Sequence, residues 1–272
     1  MTVAQGIRRN IQLRLSQLLA ALGSRKEMHK LGGYYELSRD GSQDIDKAVL
    51  LYMRAARKGY TPSQKKLGHL YAKGKGLEQS EEESFYWYHK AAEQYRVKAE
   101  RGNAEAQWKY AVCFAYGEGV EKDLAQAVAW YTKAAEQGEV HAQTNLAHCY
   151  SHGDGVARDH EKAVYWLQKA AKQGDARAMN NLADHYENGH GVEQSYEQAF
   201  YWYSKAAGKR DKYAQHSVGV FYRDGLGVKQ DHEKAIYWLK MAIGNGRTEA
   251  IEDLKKCQGL FSEMDWYWEY DR

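Results

Sequence analysis

The segment AWYTKAAEQG occupies Ala129–Gly138, YWLQKAAKQG stands at Tyr165–Gly174 and YWYSKAAGK at Tyr201–Lys209. Their tryptophans, Trp130, Trp166 and Trp202, are 36 residues apart; Trp238 continues the series, and Leu51 and Trp87 extend it upstream. The gap of 43 between Trp87 and Trp130 holds a seven-residue insert near 95–101. Alanine pairs keep the same register: Ala55–Ala56, Ala91–Ala92, Ala134–Ala135, Ala170–Ala171 and Ala206–Ala207. A period of this length belongs to a stacked repeat, in which no unit buries its apolar face alone.

Each period reads as two helices. The first carries a small residue, a leucine, a second small residue and an aromatic on one face: Ala142, Leu146, Ala147, Tyr150, then Ala178, Leu182, Ala183, Tyr186, then Ala214, Val218, Gly219, Tyr222. The small residue beside the leucine lets a neighbouring helix approach. Gly-x-Gly-Val follows at Gly117, Gly153, Gly189 and Gly225, with a looser Gly-Lys-Gly-Leu at Gly74. Glycine just past a helix end accepts the left-handed conformation. The second helix then starts on a capping side chain in every unit: Asp44, Ser80, Asp123, Asp159, Ser195 and Asp231. Ser80 with Glu83 and Ser195 with Gln198 are expected to form capping boxes. Seven inserted residues are about two helical turns, so the second helix of that unit is expected to lengthen in phase, without a domain boundary. No linker rich in Pro, Gly or Ser interrupts the series, and a continuous solenoid is expected.

The pattern small-x-x-x-Leu-Gly/Ala-x-x-Tyr, Gly-x-Gly-Val, Asp-x-x-Lys-Ala-x-x-Trp-x-x-Lys-Ala-Ala resembles the Sel-one-like repeat (SLR), a relative of the tetratricopeptide repeat. The resemblance covers about six units from Arg25 to Gly246. The first unit departs most, with Glu27 for the small residue and DGSQD at Asp40–Asp44 for the glycine turn, as terminal repeats do. The resemblance implies an all-α fold, a right-handed α-solenoid of stacked antiparallel helix pairs, and a role as a non-enzymatic scaffold or adaptor. The expected organisation is an N-terminal capping helix over 1–23, six repeats over 24–246, and a C-terminal capping helix with an aromatic tail over 247–272. Cysteine-rich members of the family have been linked to penicillin binding or hydrolysis; their paired cysteines are missing here, and that activity is not carried over.

Composition narrows the partners. A mean hydropathy of −0.80 and the absence of a long uncharged apolar run argue against a membrane span, and a single proline favours helix nearly everywhere. A formal charge of +3, with no basic stripe interleaved with aromatics, argues against nucleic acid. Three scattered cysteines, Cys113, Cys149 and Cys257, form no disulfide framework and fit a reducing compartment, the cytoplasm. Cys113 and Cys149 share a column and read as small buried fillers. The acid-free N-terminus, with Arg8, Arg9 and Arg14, also has the look of a mitochondrial presequence. The favoured reading is a packed helix with Ile7, Ile11, Leu15, Leu18, Leu19 and Leu22 on its buried face.

Two constellations compete for function. His148 and His152 stand one turn apart, and Asp184 occupies the column of His148 one repeat later, so a three-ligand metal site is conceivable. The blander reading, polar residues facing solvent along a groove, is preferred; no metal, cofactor or catalytic group is assigned. The other constellation is the set of columns flanking the core stripe: Trp108, Val112 and Tyr116; His141, Thr144, His148 and His152; Arg177, Asn180, Asp184 and Asn188; Tyr213, His216, Val220 and Asp224. These vary from repeat to repeat while the core columns hold. They are expected to line a concave groove for a protein or peptide, with Trp108 as aromatic anchor. An immunity-type inhibitor of a toxin or effector is the alternative, and a metal-dependent enzyme a further one. The C-terminal SEMDWYWEYDR either caps the last helices or docks a partner.

Overall fold

The capping column organises the chain. Asp44, Ser80, Asp123, Asp159, Ser195 and Asp231 each accept the backbone N–H three residues on, at 2.9–3.2 Å. This is seen in the computed structural model, which describes residues 13–37 and 43–269, with side chains to residue 259. Every element among the described residues is helical. The first helix, α1, covers residues 13–21. There follow α2 (Arg25–Leu37), α3 (Ile45–Arg57), α4 (Thr61–Lys73), α5 (Glu81–Glu100), α6 (Ala104–Tyr116) and α7 (Leu124–Glu136). The series continues with α8 (Val140–His152), α9 (His160–Lys172), α10 (Ala176–Asn188), α11 (Tyr196–Gly208), α12 (Lys212–Asp224), α13 (His232–Gly244) and α14 (Ala250–Glu269). Contacts group these into two compact units, Met1–Trp130 and Tyr131–Arg272, so the division falls inside α7 and not at the insert. Within each unit, helices adjacent in sequence pack as stacked pairs.

The insert is absorbed as helix: α5 runs 20 residues where the other second helices run 13. The N–H of each capping residue donates to the carbonyl of the aromatic column, at Tyr35, Tyr71, Phe114, Tyr150, Tyr186 and Tyr222, over 2.8–3.1 Å. That bond occupies the donor which a capping box leaves to its acidic or amide partner. Ser80 and Ser195 therefore make only the forward half of the expected boxes.

The two glycines of each turn have different tasks. The first ends its helix in the left-handed region, with φ of 62–82° at Gly74, Gly117, Gly153, Gly189 and Gly225. The second also has positive φ, and a Cβ there would overlap backbone: the His160 carbonyl at Gly191 and the Tyr196 carbonyl at Gly227. Each turn thus sits directly on the start of the preceding second helix. In the lengthened repeat the contact falls seven residues further along, on Tyr88 and His89 of α5.

Between layers, the small column meets a large one. A Cβ on Gly32, Gly68 or Gly219 would crowd Tyr52, Tyr88 or Leu239 at 2.7 Å. The tryptophan column is only partly sealed: Trp87 and Trp166 are buried, Trp202 and Trp238 half-buried. Cys113, Cys149 and Cys257 are buried and free, and burial pushes the Cys113 and Cys149 thiols up to about 12 and about 11.

A buried polar ladder runs beside this core. Gln64, Gln107, Gln143 and Gln215 donate to the Ala56, Ala99, Ala135 and Ala207 carbonyls, at the end of the preceding second helix. Gln94, Gln173 and Asn245 donate back to the Gln64, Gln143 and Gln215 side chains at 2.7–2.9 Å. The ladder satisfies helix-end carbonyls that would otherwise be buried unpaired. In the repeat of α10 the column holds Met179, also buried.

The same two columns carry a carboxylate and a phenol in both units. Tyr52 donates to the buried Glu36 at 3.0 Å, and Lys66 and Lys75 pair with Glu36 at 2.7 and 3.1 Å. Tyr203 donates to Glu187 at 2.7 Å, with no lysine paired to it among the described residues.

In the apolar stripe expected of the N-terminal helix, most of the described members are turned outward and Leu19 is half-buried. Leu15, Leu18 and Leu22 are exposed, while Ala20 is buried and Leu13 packs on the core. Polar contacts set this rotation: Ser16 donates to Glu27 at 2.8 Å and Gln17 to the Tyr35 hydroxyl at 3.3 Å. Ile7 and Ile11 lie outside the described residues, as do the side chains of the aromatic tail.

Candidate functional site

The first helices of three consecutive repeats, α8, α10 and α12, present their flanking columns to one concavity of about 520 Å³ in the second unit. Six of the predicted groove residues line it: His148, His152, Asn180, Asp184, Tyr213 and His216. Their spacing explains the convergence, since positions two after the small residue, two after the leucine and two after the aromatic follow one edge of the buried stripe.

The remaining predicted residues lie elsewhere. Trp108 and Val112 are half-buried and Tyr116 is exposed on α6, in the first unit. Thr144 is 1% exposed and bonds the Val140 carbonyl and Asp175; it is a packing residue and presents nothing to a ligand. Its hydroxyl ties α8 to the cap of α10, which explains why a short polar side chain sits there. His141 is exposed, 4.0 Å from Asp175, and Arg177 donates to Asn145 at 2.9 Å. Asn188 folds back on Asp184, Asp224 pairs with Arg223, and Val220 is half-buried.

Sequence columns did not point to five further lining residues: His160, His185, His190, Tyr203 and Arg247. His160 and Tyr203 come from second helices, His185 from α10 itself, His190 from a turn and Arg247 from the segment after α13. The signal that could have found His190 was the variable residue inside Gly-x-Gly, which faces the preceding repeat.

Six of the chain's eleven histidines therefore meet in one concavity. His185 is buried; its Nδ1 lies 2.7 Å from the His190 carbonyl and must donate, so Nε2, 3.0 Å from Ser151, accepts. His152 likewise donates from Nδ1 to the His148 carbonyl at 3.0 Å. Burial holds His148, His160 and His185 below the ordinary histidine range, and neighbouring histidines add to this. His216 pairs with Asp253 at 2.8 Å. The Arg247 guanidinium lies 4.9 Å over the Tyr213 ring and pairs with Glu249.

Three buried polar atoms on this lining have no hydrogen-bond partner among the described residues: His160 Nδ1, Asn180 Oδ1 and Arg247 Nε. Buried polar groups are normally satisfied by protein or by ordered water, so these three set this stretch of the lining apart. As for a metal, the His148 and His152 rings stack 17° from parallel at 4.1 Å. Among the described residues no three His, Cys, Asp or Glu side chains gather as ligands. No helix among them is long and apolar enough to cross a membrane.

The Sel1 repeat family model matches residues 28–60, 61–95, 104–139, 140–175, 176–211 and 212–246. Among solved structures, the chain is similar to c5321, a protective antigen of uropathogenic Escherichia coli strains displaying an SLR fold. The identity is 33% and the TM-score 0.61, over 91% of this chain and 52% of that one. The chain thus spans about half the length of that protein. A Sel1 repeat protein from Oxalobacter formigenes aligns at 29% identity and a TM-score of 0.66, over 88% of this chain and 95% of that one. The immunity protein Pa5087 from Pseudomonas aeruginosa shares the fold at 17% identity and a TM-score of 0.57, over 82% and 83%. Comparison with curated proteins gives no match.

Proposed function

The chain belongs to the Sel1 repeat family, and on that premise we propose that it is a non-enzymatic protein-interaction scaffold. Residues 24–246 are its binding body, with 1–23 and 247–272 as caps. The α8–α10–α12 concavity takes a segment of a polypeptide partner. The observation that carries this reading is the convergence of variable side chains from three repeats around His160 Nδ1, Asn180 Oδ1 and Arg247 Nε, none of which has a hydrogen-bond partner among the described residues. Stacking demands one shape at every layer, whereas recognition demands a different side chain at each, and the columns divide in that way. Trp108 serves as a separate aromatic anchor in the first unit. The buried free cysteines fit the cytoplasm.

The test is affinity capture from native lysate with the full chain, followed by mass spectrometry. A partner retained by the wild type and lost with Asn180→Leu or Asp184→Lys supports the reading. Full retention by both variants, with unchanged helical circular dichroism, places binding elsewhere.

A second reading is an immunity-type inhibitor, supported by the fold shared with immunity proteins of Pseudomonas aeruginosa. Under it the captured partner is a toxin or secreted effector, and co-expression restores growth to cells making that partner. Turnover or a retained metal in the purified chain would instead favour an enzyme.

A further inference from the structure

Five histidines line the concavity in two groups of contacting rings. His148 and His152 stack at 4.1 Å and His160 and His190 at 4.9 Å, while His160 meets His185 edge-on at 5.6 Å. The charge of His152 adds slightly to what disfavours a charge on His160. Neutral imidazoles tolerate such stacking, but adjacent imidazolium ions repel, strongly so where water is scarce.

The surrounding acids offer this chain little relief. Asp159, beside His160, caps α9 and pairs with Lys162 at 3.0 Å. Glu187 is engaged by Tyr203, and Asp253 by His216 and Arg223. Asp154 stands 3.6 Å from His148, and Asp184 precedes His185 on α10 without pairing with it. Among the described residues, His160, His185 and His190 have no carboxylate within ion-pair distance, and Arg158 and Arg177 add positive charge beside His160 and His148.

We propose that occupancy of this concavity is coupled to protonation: it takes an uncharged polypeptide segment by its main-chain amides while His160 and His185 are neutral, and releases the segment as they charge. The inference rests on the polypeptide reading of the site. A peptide unit supplies a donor and an acceptor together, which matches the acceptor Asn180 Oδ1 and the donor Arg247 Nε–H. Covering the site with such a segment removes water that would solvate an imidazolium, so the charged form becomes less favourable still. Protons that binding expels must, by linkage, weaken binding as pH falls.

The probe is a phage-displayed library of short peptides encoded without Asp, Glu or His, so that the ligand itself does not titrate. It is panned on the full chain at about pH 7.5. The expected peptides lose binding to Asn180→Leu and bind the wild type about tenfold or more weakly at about pH 5.5, by fluorescence anisotropy. In the double variant His160→Asn, His190→Gln, whatever the affinity at the higher pH, the further loss on acidification shrinks to about threefold or less. If no selected peptide depends on Asn180, the polypeptide reading falls and the inference with it. Peptides that depend on Asn180 but bind equally at both pH values overturn the coupling alone. So does an acid loss that persists undiminished in the double variant, or one accompanied by loss of helical circular dichroism, which would be unfolding.

Discussion

Glu36 with Tyr52 and Glu187 with Tyr203 occupy identical columns in the two units, yet the carboxyls shift in opposite directions. Burial alone pushes both upward. At Glu36, hydrogen bonds from Lys66, Lys75 and Tyr52 outweigh burial and hold the carboxyl below its usual range. At Glu187 burial, aided by the Asp184 charge, outweighs the lone Tyr203 bond and the carboxyl lies above it. The repeat therefore dictates the pairing, and its neighbours dictate the ionisation. The signs for stability follow. Glu36 stabilises above its unfolded value, and the gain is lost as pH falls through the folded one. Glu187 stabilises in acid, and its gain is lost as pH rises through the folded value.

The largest effect should not distinguish the two sites. Tyr52→Ala and Tyr203→Ala each remove a nearly fully buried ring and should each cost about 3–5 kcal/mol in urea denaturation. A gap between them above about 1 kcal/mol would mean that the rings are not packed alike. Next, Lys66→Met with Lys75→Met should convert Glu36 into a second Glu187. We expect a loss of about 2 kcal/mol at neutral pH, discounted because both amines are partly exposed, and a rise in the Glu36 pKa by carboxyl NMR. A Glu36 that still titrates low would assign its shift to Tyr52. Smaller again, Tyr203→Phe should cost about 1–2 kcal/mol and Tyr52→Phe about 0.5–1, because the lysines still serve Glu36. The reverse order would break the comparison. Smallest is Glu187→Gln, which should stabilise by about 0.5 kcal/mol near neutral pH, with the advantage fading in acid. Glu36→Gln should lose stability near neutral pH, and the loss should fade as pH falls.

Periodic features were legible in the sequence because they repeat. The six caps, the glycine turns and the lengthened α5 each follow from a column read in register. The glutamine ladder was not legible. A glutamine beside an alanine stripe has the polarity of a solvent-facing residue, and only the carbonyl at the end of the preceding helix accounts for its burial. The N-terminal leucines misled for the opposite reason: Ser16 and Gln17 found partners on α2 and set the rotation of the helix. Of the concavity, the half contributed by flanking columns could be read, since one helix face determines it. His160 and Arg247 could not, because they reach the site through stacking of different repeats, and His185 could not because its column holds the buried Cys149 and Phe221 in the neighbouring repeats. Thr144 shows the limit within a single column, where the same register that exposes His216 in part buries a shorter side chain.

The second glycines Gly119, Gly191 and Gly227 rest backbone on backbone, so the distance between those layers is fixed where no side chain intervenes. Rise per layer is thereby insulated from the sequence of the flanking columns. Substitutions at His148, Asp184 or Val220 can accumulate without re-spacing the stack, while a Gly191→Ala change would wedge two layers apart and shift every subsite beyond it. A recognition surface built this way is free to diversify because the ruler beneath it is made of main chain.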